Sequence, residues 1–483
     1  MSLSGQAAKG SAITLGAQGV RLLLTLASTV VLSRVLLPGD FGLVAMVTAI
    51  TGVAQIFLDF GLSMAALQAK SLTQAQASNL FWINALVGAV LTVIVFVCAT
   101  PISWIYDEPR LIPLVQLTSV FYLAGGLTAQ FRVAINRKLR FLALALTDIV
   151  PAAVALMVAA VCALIGMGVY SLVVQQLTIA FGTLLLAIVL AKWRPSMPKR
   201  HVDMGGLLSF GVYFALTQLL SYVTRNVDSV LIGRVAGAQA LGQYDRAYQF
   251  SVVPITRVNT PLSKVAVPIL SRISDDRQRY LEWLRRAQLV ACYLTSSVFF
   301  LVAGASVPII NVLLGPGWEQ AGTILSVLAI SGVFRTLSQI SYWMFISQGM
   351  AKQQLHRFLV TQPLIIVSMV IGLAWGPVGV AWGNVVGFGV TWIVSLAWAG
   401  RSSKLKIGAL LTDAVRAVVV VGLPGGVLAF IVCHFMNLSN ILLVCVAALA
   451  ALIWYVLAWL IFPFVRSDVG VLAGFLKSAL QRR

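Results

Sequence analysis

Long stretches of this chain carry no formal charge: none lies between Arg357 and Arg401, and none between Arg416 and Arg466. Each stretch is longer than the ~20 apolar residues with which a helix crosses ~30 Å of hydrocarbon. Backbone amides and carbonyls cannot stay unpaired in lipid, so such a chain is restricted to helices or a closed barrel. Period-2 alternation is absent, and a run such as Ala85 to Cys98 is apolar on every face. The expected fold class is therefore an all-α integral membrane protein. Composition agrees, with 60% hydrophobic and 10% charged residues, where soluble domains carry about 25% charged.

Apolar length and Gly, Pro and charge punctuation predict fourteen helices, near 11–36, 41–67, 79–106, 111–134, 142–166, 168–191 and 207–232, then 240–270, 287–314, 321–347, 355–375, 377–400, 408–434 and 440–465. The first span has no A-x-A-like cleavage site followed by a soluble domain and reads as a retained helix. An even number of crossings puts both termini on one side. That side collects Lys9, Lys70, Arg137, Lys138, Arg140, the basic linker Lys192 to Gly206, the arginines of 272–286, Lys352, Arg357, Arg401 and the basic tail. The other side has Arg34, Arg110 and Arg234, so both termini are expected in the cytoplasm. No loop is long enough for a soluble catalytic domain.

The net charge of +20 would suit nucleic acid, but the basic residues sit in short loops and form no stripe with interleaved aromatics, which excludes that partner. The five cysteines are scattered through predicted helices without C-x-x-C spacing or a histidine cluster, so neither disulfides nor a metal is indicated, and no cofactor is expected.

The chain also repeats itself. An offset of two hundred residues aligns Gln18 with Gln218, Val30 with Val230, Arg34 and Val35 with Arg234 and Val235, and Gly42 with Gly242. Val53 with Val253, Leu62 with Leu262 and Ala66 with Ala266 continue it without gaps. Six helices separate the copies, so the halves have the same orientation, related by an axis along the membrane normal, as in transporters. The expected organisation is a six-helix lobe at 1–191, a cytoplasmic linker at 192–206, a second six-helix lobe at 207–400, and the last two helices with a cytoplasmic tail at 401–483.

Three segments carry a family resemblance: SRVLLPGDFG at 33–42, QFRVAINRKLRF at 130–141, and FGVYFALTQLLSYVTRNVDSVLIGRVAGAQALGQYDRAYQF at 210–250. Nearly the whole chain resembles the polysaccharide transporters of the multidrug/oligosaccharidyl-lipid/polysaccharide superfamily, in particular Wzx-type flippases. The resemblance implies two lobes around a cavity, residence in the bacterial inner membrane, and export of undecaprenyl-diphosphate-linked oligosaccharides for capsule, O-antigen or exopolysaccharide. It also implies partners among other polysaccharide assembly proteins.

Ionisable residues inside spans face a bundle interior or a water-filled cavity by default. Here Arg21, Arg132, Arg225, Arg246, Arg257, Lys264, Arg335 and Arg416 stand against Asp59, Asp148, Asp228 and Asp245. At 100° per residue, Arg246, Arg257 and Lys264 differ by only about 20° at each step and share one face over roughly 27 Å. Met46, Phe57 and Met64 occupy the repeat-equivalent positions, so this stripe belongs to the second half alone. Pro254 and Pro261 are expected to interrupt that helix. Arginines hold the oxygens of a diphosphate through charge-assisted hydrogen bonds, and Arg21, Arg225, Asn226, Arg246, Arg257, Lys264 and Arg335 are the candidate substrate ligands. For Arg246 and Lys264 the competing view is that they reach opposite membrane interfaces.

Arg225 and Asp228 lie three apart, close enough to pair on one helix face. Asp59 and Asp148 have no cation three or four residues away. With Asp228 they are the ion-coupling candidates, unless a cation on another helix pairs them. Tyr213, Tyr222, Tyr248 and Trp343 are candidate sugar-stacking faces, although interfacial belts use the same residue types.

Asp245-Arg246-Ala247-Tyr248-Gln249-Phe250 is similar to the Asp-Arg-x-x-x-Phe of lipid II flippases, which makes that cargo the second choice; Leu22 after Arg21, where those proteins place an acid, argues against it. A drug exporter would favour an acidic cavity. A membrane-embedded glycan polymerase or ligase would need more than these short, nearly uncharged outward loops. Neither G-x-x-x-x-G-K-[ST] nor H-E-x-x-H occurs, and His201, His356 and His434 have no triad partner nearby. The expected mechanism is alternating access with the lipid tail left in the bilayer. In a chain stripped of its five cysteines, Ser274→Cys is expected to react with a membrane-impermeant maleimide only from the cytoplasm, and Glu108→Cys only from outside; the opposite pattern, or one shared side, would overturn the topology.

Overall fold

The computed structural model describes residues 3–59, 66, 72–199 and 205–480, and no strand occurs among them. Long apolar segments close their own hydrogen bonds as helices, and the chain divides into two compact units, Met1–Gly242 and Gln243–Arg483. The first holds α1 (Leu3–Ser33), α2 (Pro38–Asp59), α3 (Gln74–Val97), α4 (Ala99–Tyr106), α5 (Leu111–Arg137), α6 (Phe141–Leu164), α7 (Tyr170–Ala191) and the start of α8 (Gly205–Arg272). α3 starts at a capping box in which Thr73 and Gln76 satisfy each other's backbone amides.

Lipid offers no hydrophobic gain for helix association, so packing in a bilayer relies on close approach at small residues. Gly88 of α3 and Gly126 of α5 show this: an added Cβ would lie 2.7 Å from the Tyr122 carbonyl in one case and 2.3 Å from that of Asn84 in the other.

Sequence reading separates helices at 207–232 and 240–270, and the separation is real although the helical run is continuous: Gly237, at φ 80° and ψ 179°, is its non-helical residue. Leu241 returns against Gly233, with 3.2 Å between its Cδ2 and the Cβ that glycine lacks. Pro254 and Pro261 do not interrupt the helix as expected, since helical geometry continues through both. A proline removes one amide, which a bundled membrane helix tolerates, whereas a left-handed glycine redirects the chain.

The start of α8 packs on α2 at a reciprocal contact. A Cβ on Gly42 would sit 1.7 Å from the Ala238 carbonyl, and one on Gly242 would sit 1.8 Å from the Pro38 carbonyl. Each partner is the other's counterpart at the two-hundred-residue offset, so residue and equivalent exchange contacts as around a local two-fold. The division into units falls inside α8, directly after Gly242. Residues 192–199 of that linker are strapped to the start of α3. Gln74 donates to the Arg194 carbonyl (2.9 Å), Trp82 to that of Ser196 (3.0 Å), and the Asn79 amide exchanges hydrogen bonds with the Lys199 backbone (2.8 and 2.9 Å).

The second unit continues with α9 (Arg277–Gly304), α10 (Ser306–Leu313), α11 (Glu319–Ser347), α12 (Ala351–Gly372), α13 (Gly376–Ser403), α14 (Gly408–Arg416), a π-helical turn (Ala417–Gly422), α15 (Leu423–Phe435), α16 (Asn440–Ile461) and α17 (Pro463–Leu480). α12 and α13 pack along each other after a reversal at Gly376, φ 69°. A glycine ladder lets them touch: Gly379 meets the Gly372 carbonyl, Gly383 that of Ser368 and Gly387 the Ile365 backbone. α17 is an element the sequence reading left in the tail. Among the described residues, eleven helical segments are long and apolar enough to cross a membrane, and one of them, Ala351–Ser403, contains this reversal.

Gly42→Ala and Gly242→Ala should each lower the melting temperature of the purified protein, by the ~1–3 kcal/mol of an overpacked core or more. Gly19→Ala, with nothing within 4 Å of the new methyl, should not. Equal melting of all three would refute the close contact.

Candidate functional site

Two adjoining cavities open within the first unit. One, about 680 Å³, lies between α2, α5, α7 and the start of α8; the other, about 780 Å³, lies between α1, α5 and α6, and Gln55, Phe121 and Ile179 line both.

The second cavity holds the charges. Arg132 of α5 donates to Asp148 of α6 at 2.8 Å, and Arg21 of α1 approaches the same carboxylate oxygen at 3.7 Å. Asp148, considered above as an ion-coupling carboxylate, thus has two cationic partners on other helices. Helical spacing cannot reveal that pairing, because Arg132 and Arg21 are remote in sequence. The cluster keeps a net positive charge. Arg21 leaves 59% of its side chain exposed, so most of its donors remain free for an anion.

Arg225 is exposed into the first cavity, and Asn226 beside it donates back to the Tyr222 carbonyl (2.9 Å). Asp228 is 4% exposed and accepts the Ser229 amide (2.9 Å). The hydroxyls of Tyr222 and Tyr122 donate to the α2 carbonyls of Thr48 and Thr51, both at 2.5 Å. Gly52 makes room for this, since a Cβ there would lie 1.9 Å from the Tyr222 hydroxyl.

In the second unit Arg335 is caged. Its guanidinium lies 4.1 Å from the Phe388 ring centre and 5.4 Å from that of Tyr248, and it donates to Asn384 at 3.0 Å. Asn384 donates in turn to Tyr244 (3.0 Å), and the Arg335 Nε is buried without a hydrogen-bond partner. Aromatic faces and an amide hold this charge in place of a carboxylate.

Of the stripe expected on α8, the structure describes the side chains of two members. Arg246 pairs with its neighbour Asp245 (2.6 Å), Lys264 is exposed, and the Arg257 side chain lies outside the described residues, as do those of Asp59 and Tyr213. Trp343 is 1% exposed and donates to Ser263 (2.8 Å), so it presents no face to a sugar.

Sequence reading named Arg416 but not the second charged cluster to which it belongs. Asp413 of α14, 1% exposed, pairs with Arg285 of α9 (2.8 Å) and with Arg416 (3.3 Å); Arg416 reaches Asp468 of α17 (2.8 Å), which also accepts the Tyr293 hydroxyl (2.9 Å). Burial pushes the Asp468 carboxyl above the ordinary carboxylate range, against the pull of Tyr293 and Arg416. Only the Asp413 and Arg416 spacing was a local signal. The cluster ties α17 to the bundle and lines neither cavity described above.

A helical bundle with an arginine-bearing polar cavity inside it has the architecture of a membrane carrier, and solved structures share the fold. Lipid II flippase MurJ, in an inward closed conformation, matches with a TM-score of 0.68 at 15% identity over 92% of this chain and 98% of that one. An inward-facing multidrug-resistance MATE-family transporter of the MOP superfamily matches with a TM-score of 0.60 at 16% identity, over 80% of this chain and 94% of that one. The chain belongs to the polysaccharide biosynthesis protein family, whose sequence model matches residues 31–322. Among curated relatives, teichuronic acid biosynthesis protein TuaB of Bacillus subtilis (strain 168) is 27% identical over 62% of this chain and 63% of its own length. Lipopolysaccharide biosynthesis protein WzxC of Escherichia coli (strain K12) is 23% identical over 65% and 64%. The chain therefore spans less than two thirds of the length of these relatives.

Arg132→Gln and Asp148→Asn should each destabilise the protein. The double variant should lose less than the sum, by a coupling on the order of 1 kcal/mol for a partly buried pair. Strict additivity in a denaturation cycle would mean that the pair contributes nothing.

Proposed function

We propose that this protein is a flippase that moves undecaprenyl-diphosphate-linked oligosaccharide repeat units from the cytoplasmic to the outer leaflet of the bacterial inner membrane. It works by alternating access of two six-helix lobes through a cationic cavity, with fourteen crossings and both termini in the cytoplasm. One observation carries the reading: among the described residues, the adjoining cavities of the first unit are lined by three arginines, Arg21, Arg132 and Arg225, and one carboxylate, Asp148. Keeping such charge inside a bilayer costs several kcal/mol and is retained where it binds something. A diphosphate supplies anionic oxygens that exposed guanidiniums can hold in place of water.

Arg21 and Arg225 are the headgroup ligands in this reading. Asn226, Arg246, Arg257, Lys264 and Arg335 remain candidates further along the path, and Asp59 and Asp228 remain candidates for ion coupling. Family membership, fold likeness to a flippase and a MATE transporter, and polysaccharide-assembly relatives support transport over polymerisation or ligation. An excess of arginine disfavours cationic drugs. Other polysaccharide assembly proteins are the expected partners.

The test is trans-bilayer movement of a labelled undecaprenyl-diphosphate oligosaccharide in liposomes with an imposed ion gradient. Wild type should move it, and Arg225→Gln should slow movement by roughly 10- to 100-fold, the worth of one charged hydrogen bond. Arg110→Gln, in an outer loop, should match wild type. Movement unaffected by Arg225→Gln and Arg21→Gln would remove the cationic cavity from the mechanism, and movement of lipid II in preference to the oligosaccharide would reassign the cargo.

A further inference from the structure

The hydroxyls that line the first cavity have spent their hydrogens on backbone. Thr48 donates to Val44 (2.9 Å), Thr51 to Val47 (2.8 Å) and Thr118 to Leu114 (2.8 Å). Tyr122 and Tyr222 donate to α2 as described. Three other polar side chains of the wall, Gln55 of α2, Gln176 of α7 and Gln218 of α8, have no hydrogen-bond partner among the described residues. They come from three helices and meet at one cavity beside Arg225.

A primary amide offers two donors and an acceptor without charge. Toward a diphosphate, whose oxygens only accept, their N–H groups could donate, but three amide acceptors would go unused. They do not suit a cationic drug, since no carboxylate lines this cavity among the described residues. An apolar ligand would leave them unpaired, at ~1–3 kcal/mol each where water is excluded. A sugar ring matches all of these features: its hydroxyls both donate and accept, and its C–H faces pack on aromatic rings such as Phe121 and Tyr222. Tyr222 is held by Thr48, so its ring is placed before a ligand arrives. At about 680 Å³ the space lies within the ~300–1,000 Å³ of small-ligand sites.

We propose that this glutamine-lined cavity is the glycan subsite: Gln55, Gln176 and Gln218 hydrogen-bond the saccharide next to the linkage, while Arg225 at the same wall holds the diphosphate. The inference rests on the flippase reading and adds to it where, and by which groups, the cargo's sugar is recognised. Recognition by amides makes the protein sensitive to the hydroxyl pattern of that sugar, because a missing hydroxyl leaves unpaired an amide that the bound sugar has shut off from water.

The test uses the full-length protein in nanodiscs, as wild type and as the triple variant Gln55→Leu/Gln176→Leu/Gln218→Leu, a change that membrane helices accept readily. Three probes are compared: lipid-linked oligosaccharide extracted from the bacterium that makes the chain, undecaprenyl diphosphate without sugar, and the free oligosaccharide released by mild acid. The triple variant should bind the glycosylated lipid about 100-fold more weakly, the sum of three ordinary hydrogen bonds. It should bind bare undecaprenyl diphosphate as wild type does and should lose the thermal stabilisation that free oligosaccharide gives wild type. Arg225→Gln should weaken both lipids alike. Unchanged binding of the glycosylated lipid by the triple variant, or equal loss for glycosylated and bare lipid, overturns the subsite. Wild type that binds free oligosaccharide at this cavity but moves no lipid would remove the flippase reading and leave the subsite standing. Movement of cargo by wild type and triple variant at equal rates would do the reverse.

Discussion

A polar backbone group has no partner in hydrocarbon except another backbone group, and every level of this structure follows from that constraint. It turns the charge-free stretches into helices. It also removes the hydrophobic gain that would drive those helices together, so contact depends on backbones coming close. Gly88 with Gly126, Gly42 with Ala238, and the ladder Gly379, Gly383 and Gly387 are the places where they do. Side chains at these points would prop the bundle open.

The same medium sets the terms for charge. An ion in the bilayer must find a counter-charge, a cage of dipoles and rings, or water. All three solutions occur. Asp148 lies between Arg132 and Arg21, Arg335 is held over Phe388 and against Asn384, and Arg225 is exposed in a cavity. Arg21 and Arg225 are exposed where a ligand can reach them, and Arg335 is enclosed by Phe388, Tyr248 and Asn384.

Helix boundaries were legible because they follow composition: 111–134 was expected and Leu111–Arg137 found, and the break between 207–232 and 240–270 falls at Gly237. Pro254 and Pro261 misled, because their usual effect assumes water on the freed carbonyl and a helix with no neighbours. Residues 192–199 of the basic linker are held along α3 through Asn79, Trp82 and Gln74, residues unremarkable within an apolar helix. The glutamine wall was missed for a similar reason: Gln55, Gln176 and Gln218 carry no charge, and no periodicity joins residues of three different helices.

By itself the sequence determined that the chain spans a membrane as helices, that its positive charge is concentrated in the short segments between apolar stretches, and that its halves echo each other at a fixed offset. These properties depend on residue type and spacing along the chain, and hydrocarbon acts on both locally. Tertiary structure alone decided which charges meet. Arg132 and Arg21 with Asp148, Arg285 with Asp413, and Arg416 with Asp468 are pairings across helices whose sequence separations carry no signal. An ion in low dielectric takes whichever partner packing brings within reach, and packing is settled by backbone contacts between helices far apart in the chain.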